Sequence, residues 1–208
     1  MIGQGALREC LLAPDVESIL VIGRTGTNQK NAKVREILRA DLDNLSDIET
    51  ELAGIDACFF CIGVSAVGKS EETYTAITYD FTLNIARTLA RVNPSMTFIY
   101  VSGQGTDSSE RGRMMWARVK GRTENGLLQL PFNAYMFRPG LIQPMHGIKS
   151  KTAVYRITYM VLSPLTPILL KAFPKHVTTT EQLGRAMLRV AREGHPKKVL
   201  ESADINSL

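Results

Sequence analysis

Apolar, β-branched runs at Ser18–Ile22, Ala57–Ile62, Thr97–Val101 and Ala134–Phe137 alternate along the chain with stretches of helical periodicity. No other feature limits the fold as strongly. Continuous apolar runs of this length suit strands covered on both faces, as in a parallel sheet. Weaker runs at Glu36–Leu38 and Val199–Leu200 read as further strands. Between them, Tyr74, Ile77, Phe81, Ile85, Leu89 and Val92 recur every three or four residues and mark a long amphipathic helix. Ser46-Asp47-Ile48-Glu49 and Thr178-Thr179-Thr180-Glu181 read as capping boxes, the first helix stopping at Gly54 and the second at Gly194. Strand–helix alternation at this spacing predicts an α/β doubly wound parallel sheet with helices on both faces. The 208 residues are read as one domain with a small excursion over 141–177.

Composition narrows the function. Hydrophobic residues are 44% and charged residues 22%, which excludes disordered and fibrous chains. A net charge of +5 suits a phosphate-bearing small ligand, and less well a nucleic acid or an anionic membrane surface. Cys10, Cys58 and Cys61 cannot all pair, which argues against a secreted disulfide framework. Cys58-Phe59-Phe60-Cys61 has the C-x-x-C spacing, yet it lies in a strand, where side chains three apart point to opposite faces. Buried thiols are expected there, with no metal site. The uncharged segment from Ile157 to Leu170 is too short to span a bilayer and contains Pro164 and Pro167. It reads as a buried helix and turn, with peripheral membrane contact as the alternative. A cytoplasmic location is expected.

Several short motifs fall at successive strand ends: Met1-Ile2-Gly3, Val21-Ile22-Gly23-Arg24, Cys61-Ile62-Gly63, Tyr100-Val101-Ser102-Gly103, Trp116-x-x-x-Lys120 and Phe137-Arg138-Pro139-Gly140. In this order they resemble the atypical, extended-type short-chain dehydrogenase/reductases, the NAD-dependent epimerase/dehydratase-like group. That resemblance covers nearly the whole chain and implies a Rossmann-type fold binding a pyridine dinucleotide. Gly3 would match the last glycine of the family's G-x-x-G-x-x-G fingerprint, the one that lets helix and strand approach closely. The strand and the other two glycines would lie upstream of Met1. The start is therefore expected to be artificial, leaving two unpaired edges in the sheet, and the chain alone to be poorly soluble or to bind cofactor weakly.

The resemblance also implies site residues. Arg24, 21 positions after Gly3, falls where an acid would bond the ribose 2′-hydroxyl of NAD and an arginine accommodates the 2′-phosphate of NADP. No Asp or Glu lies between Ile19 and Lys33, and Lys30 and Lys33 add positive charge, so NADP is expected, with NAD as the alternative cofactor. Asp41 and Leu42 would flank adenine, and Gly63 would allow close approach of the cofactor. Ser102 would bond the substrate carbonyl or hydroxyl. The family's Tyr-x-x-x-Lys pair trades a proton as hydride moves at the nicotinamide. Here Trp116 stands in the tyrosine's place and Lys120 in the lysine's. Indole N–H only donates hydrogen bonds and has no proton-transfer chemistry near neutral pH.

Two functions stay open on these residues. One is an NADP-preferring oxidoreductase or epimerase-like enzyme of a small, fairly apolar carbonyl or hydroxyl substrate, with Ser102, Tyr155 or Tyr159 as proton donor. The other is a catalytically silent NADP-binding regulatory or scaffold protein. A third class, nucleic-acid binding, rests on the five cations between Arg111 and Arg122, without an accompanying motif. His146, Tyr155 and Tyr159 are candidate pocket residues of the 141–177 region, and Lys120 has a surface pairing with Glu124 as its ordinary alternative. An oligomer is compatible with all three readings.

Overall fold

A computed structural model describes residues 1–148 and 172–208. Contacts divide the chain into two compact units, Met1–Ala40 with Pro139–His195 and Leu200–Leu208, and Asp41–Arg138 with Pro196–Val199. Tyr155, Tyr159 and the 157–170 stretch lie outside the described residues.

In the first unit, α1 (Ile2–Leu12) leads to the parallel pair β1 (Ile19–Gly23) and β2 (Val34–Leu38), in register Ile19↔Val34. A second parallel pair, β6 (Leu141–Gln143) and β7 (Val177–Thr179), precedes α6 (Thr180–Glu193), and α7 (Ser202–Asn206) ends the chain. Helix α6 packs chiefly on α1. Two glycines make this possible. A Cβ on Gly5 would stand 2.6 Å from the Thr180 carbonyl oxygen, and one on Gly184 would stand 2.8 Å from Glu9 Cγ. Close approach therefore belongs to Gly5. Gly3, expected in that role, is exposed in the first turn of α1.

The second unit holds the larger core. Strands β3 (Ala57–Phe60), β4 (Thr97–Val101), β5 (Asn133–Arg138) and β8 (Val199–Glu201) form one sheet in that order. β4 lies parallel to both β3 and β5, in register Ala57↔Thr97↔Asn133. Phe98 and Phe132 stack at 4.8 Å, with Phe60 5.7 Å from Phe98, so the apolar runs predicted as strands supply a dry aromatic centre. Helix α2 (Glu49–Leu52) follows a 3₁₀ turn at Ser46–Ile48. The capping box expected at Ser46 does not form, because Leu45 is the cap and Ser46 already lies inside the turn. At the other predicted box, the cap moves by one residue: Thr179 Oγ1 accepts from the Gln182 amide at 3.0 Å.

The long helix predicted from Tyr74 to Val92 is present with an interruption. Glu71–Thr75 (α3) and Phe81–Val92 (α4) are α-helical, and the turn between them, Ala76–Asp80, is a π-helix. Helix α5 (Met115–Leu128) packs on α3, α4 and β5. Among the described residues β1 pairs only with β2 and β3 only with β4. The described strands thus form three sets of ladders, and no described strand bonds to the other edge of β1 or β3, the two unpaired edges expected from the sequence.

Candidate functional site

A shallow cleft open to solvent, about 10 Å³ in volume, lies in the second unit at the carboxyl ends of β3 and β4. Ile62, Gly63 and Val64 form one rim, Val101 and Lys120 another, and Tyr74, Ile77, Thr78 and Thr82 the wall. The wall exists because of the π-helical turn, which carries Ile77 and Thr78. Such one-turn π-bulges occur frequently at functional sites. Open α/β sheets bind their ligands outside the carboxyl ends of the strands, as this placement would require.

Of the residues expected from sequence, Gly63 and Lys120 meet in this cleft. A Cβ built on Gly63 would touch nothing within 4 Å, so the backbone here faces open space. Lys120 is half-buried, and its ammonium donates to the Ser102 carbonyl oxygen. Burial pulls its pKa below the ordinary lysine value, while Glu124, one turn along α5, opposes that shift. Two phenols, Tyr74 and Tyr100, also line the cleft, and sequence reasoning missed both. Desolvation raises the pKa of each; Tyr74 is hydrogen-bonded to Thr78 and Tyr100 to Thr123. Tyr74 stood in the apolar stripe of the amphipathic helix and was read only as core.

Ser102 is turned away. Its hydroxyl donates to Glu124 Oε1 at 2.5 Å, with the Phe137 carbonyl oxygen 3.2 Å distant. A serine has one proton to donate, and here a buried carboxylate takes it. Glu124, 1% exposed, is not the surface partner of Lys120 but the buried partner of Arg138, whose Nε lies 3.0 and 3.2 Å from its two oxygens. Arg138 reaches on to Ser108 Oγ at 2.5 Å. The signal for this cluster lay in Arg138-Pro139-Gly140 and in the i, i+4 spacing of Lys120 and Glu124, which sequence alone does not distinguish from a surface pair.

Trp116 is not among the residues that line the cleft. Its ring packs on the loop after β4, where a Cβ on Gly105 would stand 3.3 Å from Trp116 Cη2. Gly105 has φ +87°, so glycine answers both the backbone conformation and the ring. The same loop is stapled to α5. A Cβ on Gly121 would fall 1.8 Å from the Asp107 carbonyl oxygen, and the Asp107 carboxylate accepts from the Gly112 amide at 2.6 Å.

The basic stretch is largely occupied within the unit. Arg118 donates to the Gly112 and Arg113 carbonyls and pairs with Glu71, and the Arg122 guanidinium lies 4.2 Å over the Tyr79 ring. Arg111 and Arg113 are exposed. Asp41 closes a turn by accepting from the Asp43 amide at 2.8 Å. Leu42, expected beside adenine, is 8% exposed and points into the core instead.

Arg24, in the first unit, is exposed and has no ion-pair partner among the described residues. Lys33, expected beside it, donates to the Ala13 carbonyl at 2.9 Å and is directed to the end of α1. Glu36, beyond the window searched in the sequence, holds the loop after Arg24 by accepting from the Thr27 amide at 2.9 Å and from its hydroxyl. Those hydrogen bonds keep its carboxyl below the usual carboxylate range. His146, at φ +55°, pairs with Glu181. Burial pushes the Cys10 thiol up to about 11 and Cys58 up to about 12, so thiolate is scarce at either. No group of three or more His, Cys, Asp or Glu among the described residues could hold a metal ion.

No family model matches the chain. Leucinostatins biosynthesis cluster protein T of Purpureocillium lilacinum is 28% identical over 134 residues, covering 62% of this chain and 49% of its own length. Protein FMP52-2, mitochondrial, of Scheffersomyces stipitis is 27% identical over 129 residues, covering 61% and 55%. The chain spans about half the length of these curated relatives. Among solved structures, a putative NAD-dependent epimerase/dehydratase from Bacillus halodurans superposes with a TM-score of 0.64 at 15% identity, over all of this chain and 94% of its own. The dTDP-glucose 4,6-dehydratase DesIV of Streptomyces venezuelae, with NAD bound, gives 0.65 at 14% over 95% and 71%. Bordetella bronchiseptica WbmF in complex with NAD+ gives 0.62 at 13% over 99% and 73%. At these identities the likeness establishes the fold: the chain is a Rossmann-like α/β protein.

Proposed function

We propose that the cleft between Gly63 and Lys120 receives the nicotinamide-ribose end of a pyridine dinucleotide, and that the chain belongs functionally with NAD(P)-dependent oxidoreductases of the epimerase/dehydratase-like type. The observation that carries this reading is Lys120: a half-buried ammonium with donors beyond the one given to Ser102, facing a glycine edge with open space above it. Lys120 would hold the ribose hydroxyls, and the nicotinamide supplies the hydride chemistry when bound. The apolar side chains of Ile62, Val64 and Ile77 favour a small, fairly apolar carbonyl or hydroxyl substrate. The solved neighbours with NAD in their names support a nicotinamide cofactor.

NADP is proposed over NAD because Arg24 is exposed and Glu36, the acid on β2 that holds the loop after Arg24, is engaged by Thr27. Arg24→Asp should weaken NADPH binding more than NADH binding; an equal effect on both removes the preference. A cytoplasmic location is proposed, supported by the lack of any helix among the described residues long and apolar enough to cross a membrane. Since one relative is named mitochondrial, cell fractionation is the direct check.

The second reading, a silent dinucleotide-binding protein, is favoured by one specific arrangement. The Ser102 hydroxyl donates its hydrogen bond to Glu124, and Trp116, in the place of the family's tyrosine, packs on Gly105 outside the cleft lining. Trp116→Tyr separates the two readings. NADPH oxidation with small carbonyls that appears only in the variant supports the silent protein, and turnover by the wild type supports the enzyme.

A further inference from the structure

Next to the cleft-lining residues Val101 and Lys120, four polar side chains are linked in a line that the proposed chemistry does not use. Glu124 takes the Ser102 hydroxyl proton on one side and the Arg138 guanidinium on the other, and Arg138 continues to Ser108 on the loop that packs against α5. Ser102 is thereby fixed twice, through its hydroxyl by Glu124 and through its amide by the Phe137 carbonyl at 2.9 Å. Its own carbonyl is left as the acceptor for Lys120. A carboxylate with so little exposure is retained only with full hydrogen bonding, which Ser102 and Arg138 supply here.

We propose that Glu124 is a positioning residue: it turns the Ser102 hydroxyl out of the cleft, presents the Ser102 carbonyl to Lys120, and so holds the Lys120 ammonium in place for the ligand. This deepens the dinucleotide reading and rests on it for the identity of the ligand. The groups facing Lys120 are few. Tyr74 from α3 and Tyr100 from β4 share its cleft, Glu124 follows it on α5, and Arg138 from β5 stands beyond Glu124. Desolvation raises the pKa of both phenols, so the groups here that favour the ammonium are the Ser102 carbonyl oxygen and the Glu124 carboxylate.

The test reads Lys120 directly. Side-chain NMR of the whole chain, with the Lys120 signal assigned by its loss in Lys120→Arg, should show Lys120 titrating at lower pH in Glu124→Gln than in wild type. Should that variant not fold because Arg138 is left unpaired, Glu124→Gln/Arg138→Gln relieves the buried charge and should show the same downward direction. In parallel, NADPH affinity of the Gln variant should fall about tenfold at alkaline pH, the scale of one charged hydrogen bond, and approach wild type in mild acid. An unmoved Lys120 titration in the folded variants overturns the positioning role. A shifted Lys120 with no NADPH binding by any protein, wild type included, keeps the positioning role and overturns the dinucleotide reading instead.

Discussion

Two regions near the cleft have opposite character. The floor, set back from the lining and joined to it where Lys120 donates to the Ser102 carbonyl, is a buried ionic line, Ser102–Glu124–Arg138, with Glu124 at 1% and Arg138 at 12% exposure. The rim segment, Ile62–Gly68, whose first three residues line the cleft, is mostly exposed, and a Cβ on either Gly63 or Gly68 would meet nothing within 4 Å. The floor is over-determined, each polar group holding another, whereas the rim is fixed by little beyond its attachment to β3. Rigid support beneath an open edge is how a site keeps a charged group placed while leaving room for a ligand. A substitution in the floor should therefore act on stability, and one in the rim on binding.

The largest effect is expected at the floor. Arg138→Met removes one partner of the buried pair and leaves the Glu124 carboxylate uncompensated, which should lower stability by about 3–5 kcal/mol in chemical denaturation. A loss near that of a surface salt bridge, under about 1 kcal/mol, would mean that the floor is not held as drawn. Gly63→Leu is the converse. With open space above its backbone, it should leave stability within about 0.5 kcal/mol of wild type while reducing dinucleotide affinity at least about tenfold, measured by fluorescence titration. Equal losses in both would erase the distinction between rim and floor.

The smallest effect concerns the loop from Gly103 to Arg113. Asp107 has its carboxyl held below the ordinary value by the Ser109 side chain first and the Gly112 amide next. An acid with a depressed folded-state pKa contributes stability that is complete above its unfolded value, about pH 4, and is lost as pH falls through the folded value. Acidification should therefore lower the protection of the Gly112 amide, its exchange rate relative to the intrinsic rate at the same pH, before the strands lose theirs. Protection that is flat with pH would detach Asp107 from the loop's order.

The sequence made the strands and main helices legible because continuous apolar runs and 3.6-residue periodicity survive whatever packs around them. Burial was less legible. β1 and β4 both read as continuous apolar strands, yet all five residues of β1 are half-exposed while Phe98 and Ile99 of β4 are fully buried. The difference lies in ladder partners, which a single strand's pattern does not carry. Lys120 and Gly63 come together at the cleft because a strand end and a helix face fix where they project. Glu124 was not, because one i, i+4 spacing serves a surface pair and a buried clamp alike. Gly3 and Gly5 are two residues apart on α1, and only the neighbour packed against that helix decides which glycine is needed.

The most direct measurement is an NMR titration of the chain with NADPH, following amide and side-chain signals across the molecule. Progressive shifts at Gly63, Val101 and the Lys120 side chain, abolished by Lys120→Met, are the expected result. Shifts confined to residues away from that cleft, or an identical response in Lys120→Met, would contradict a nicotinamide site at Lys120.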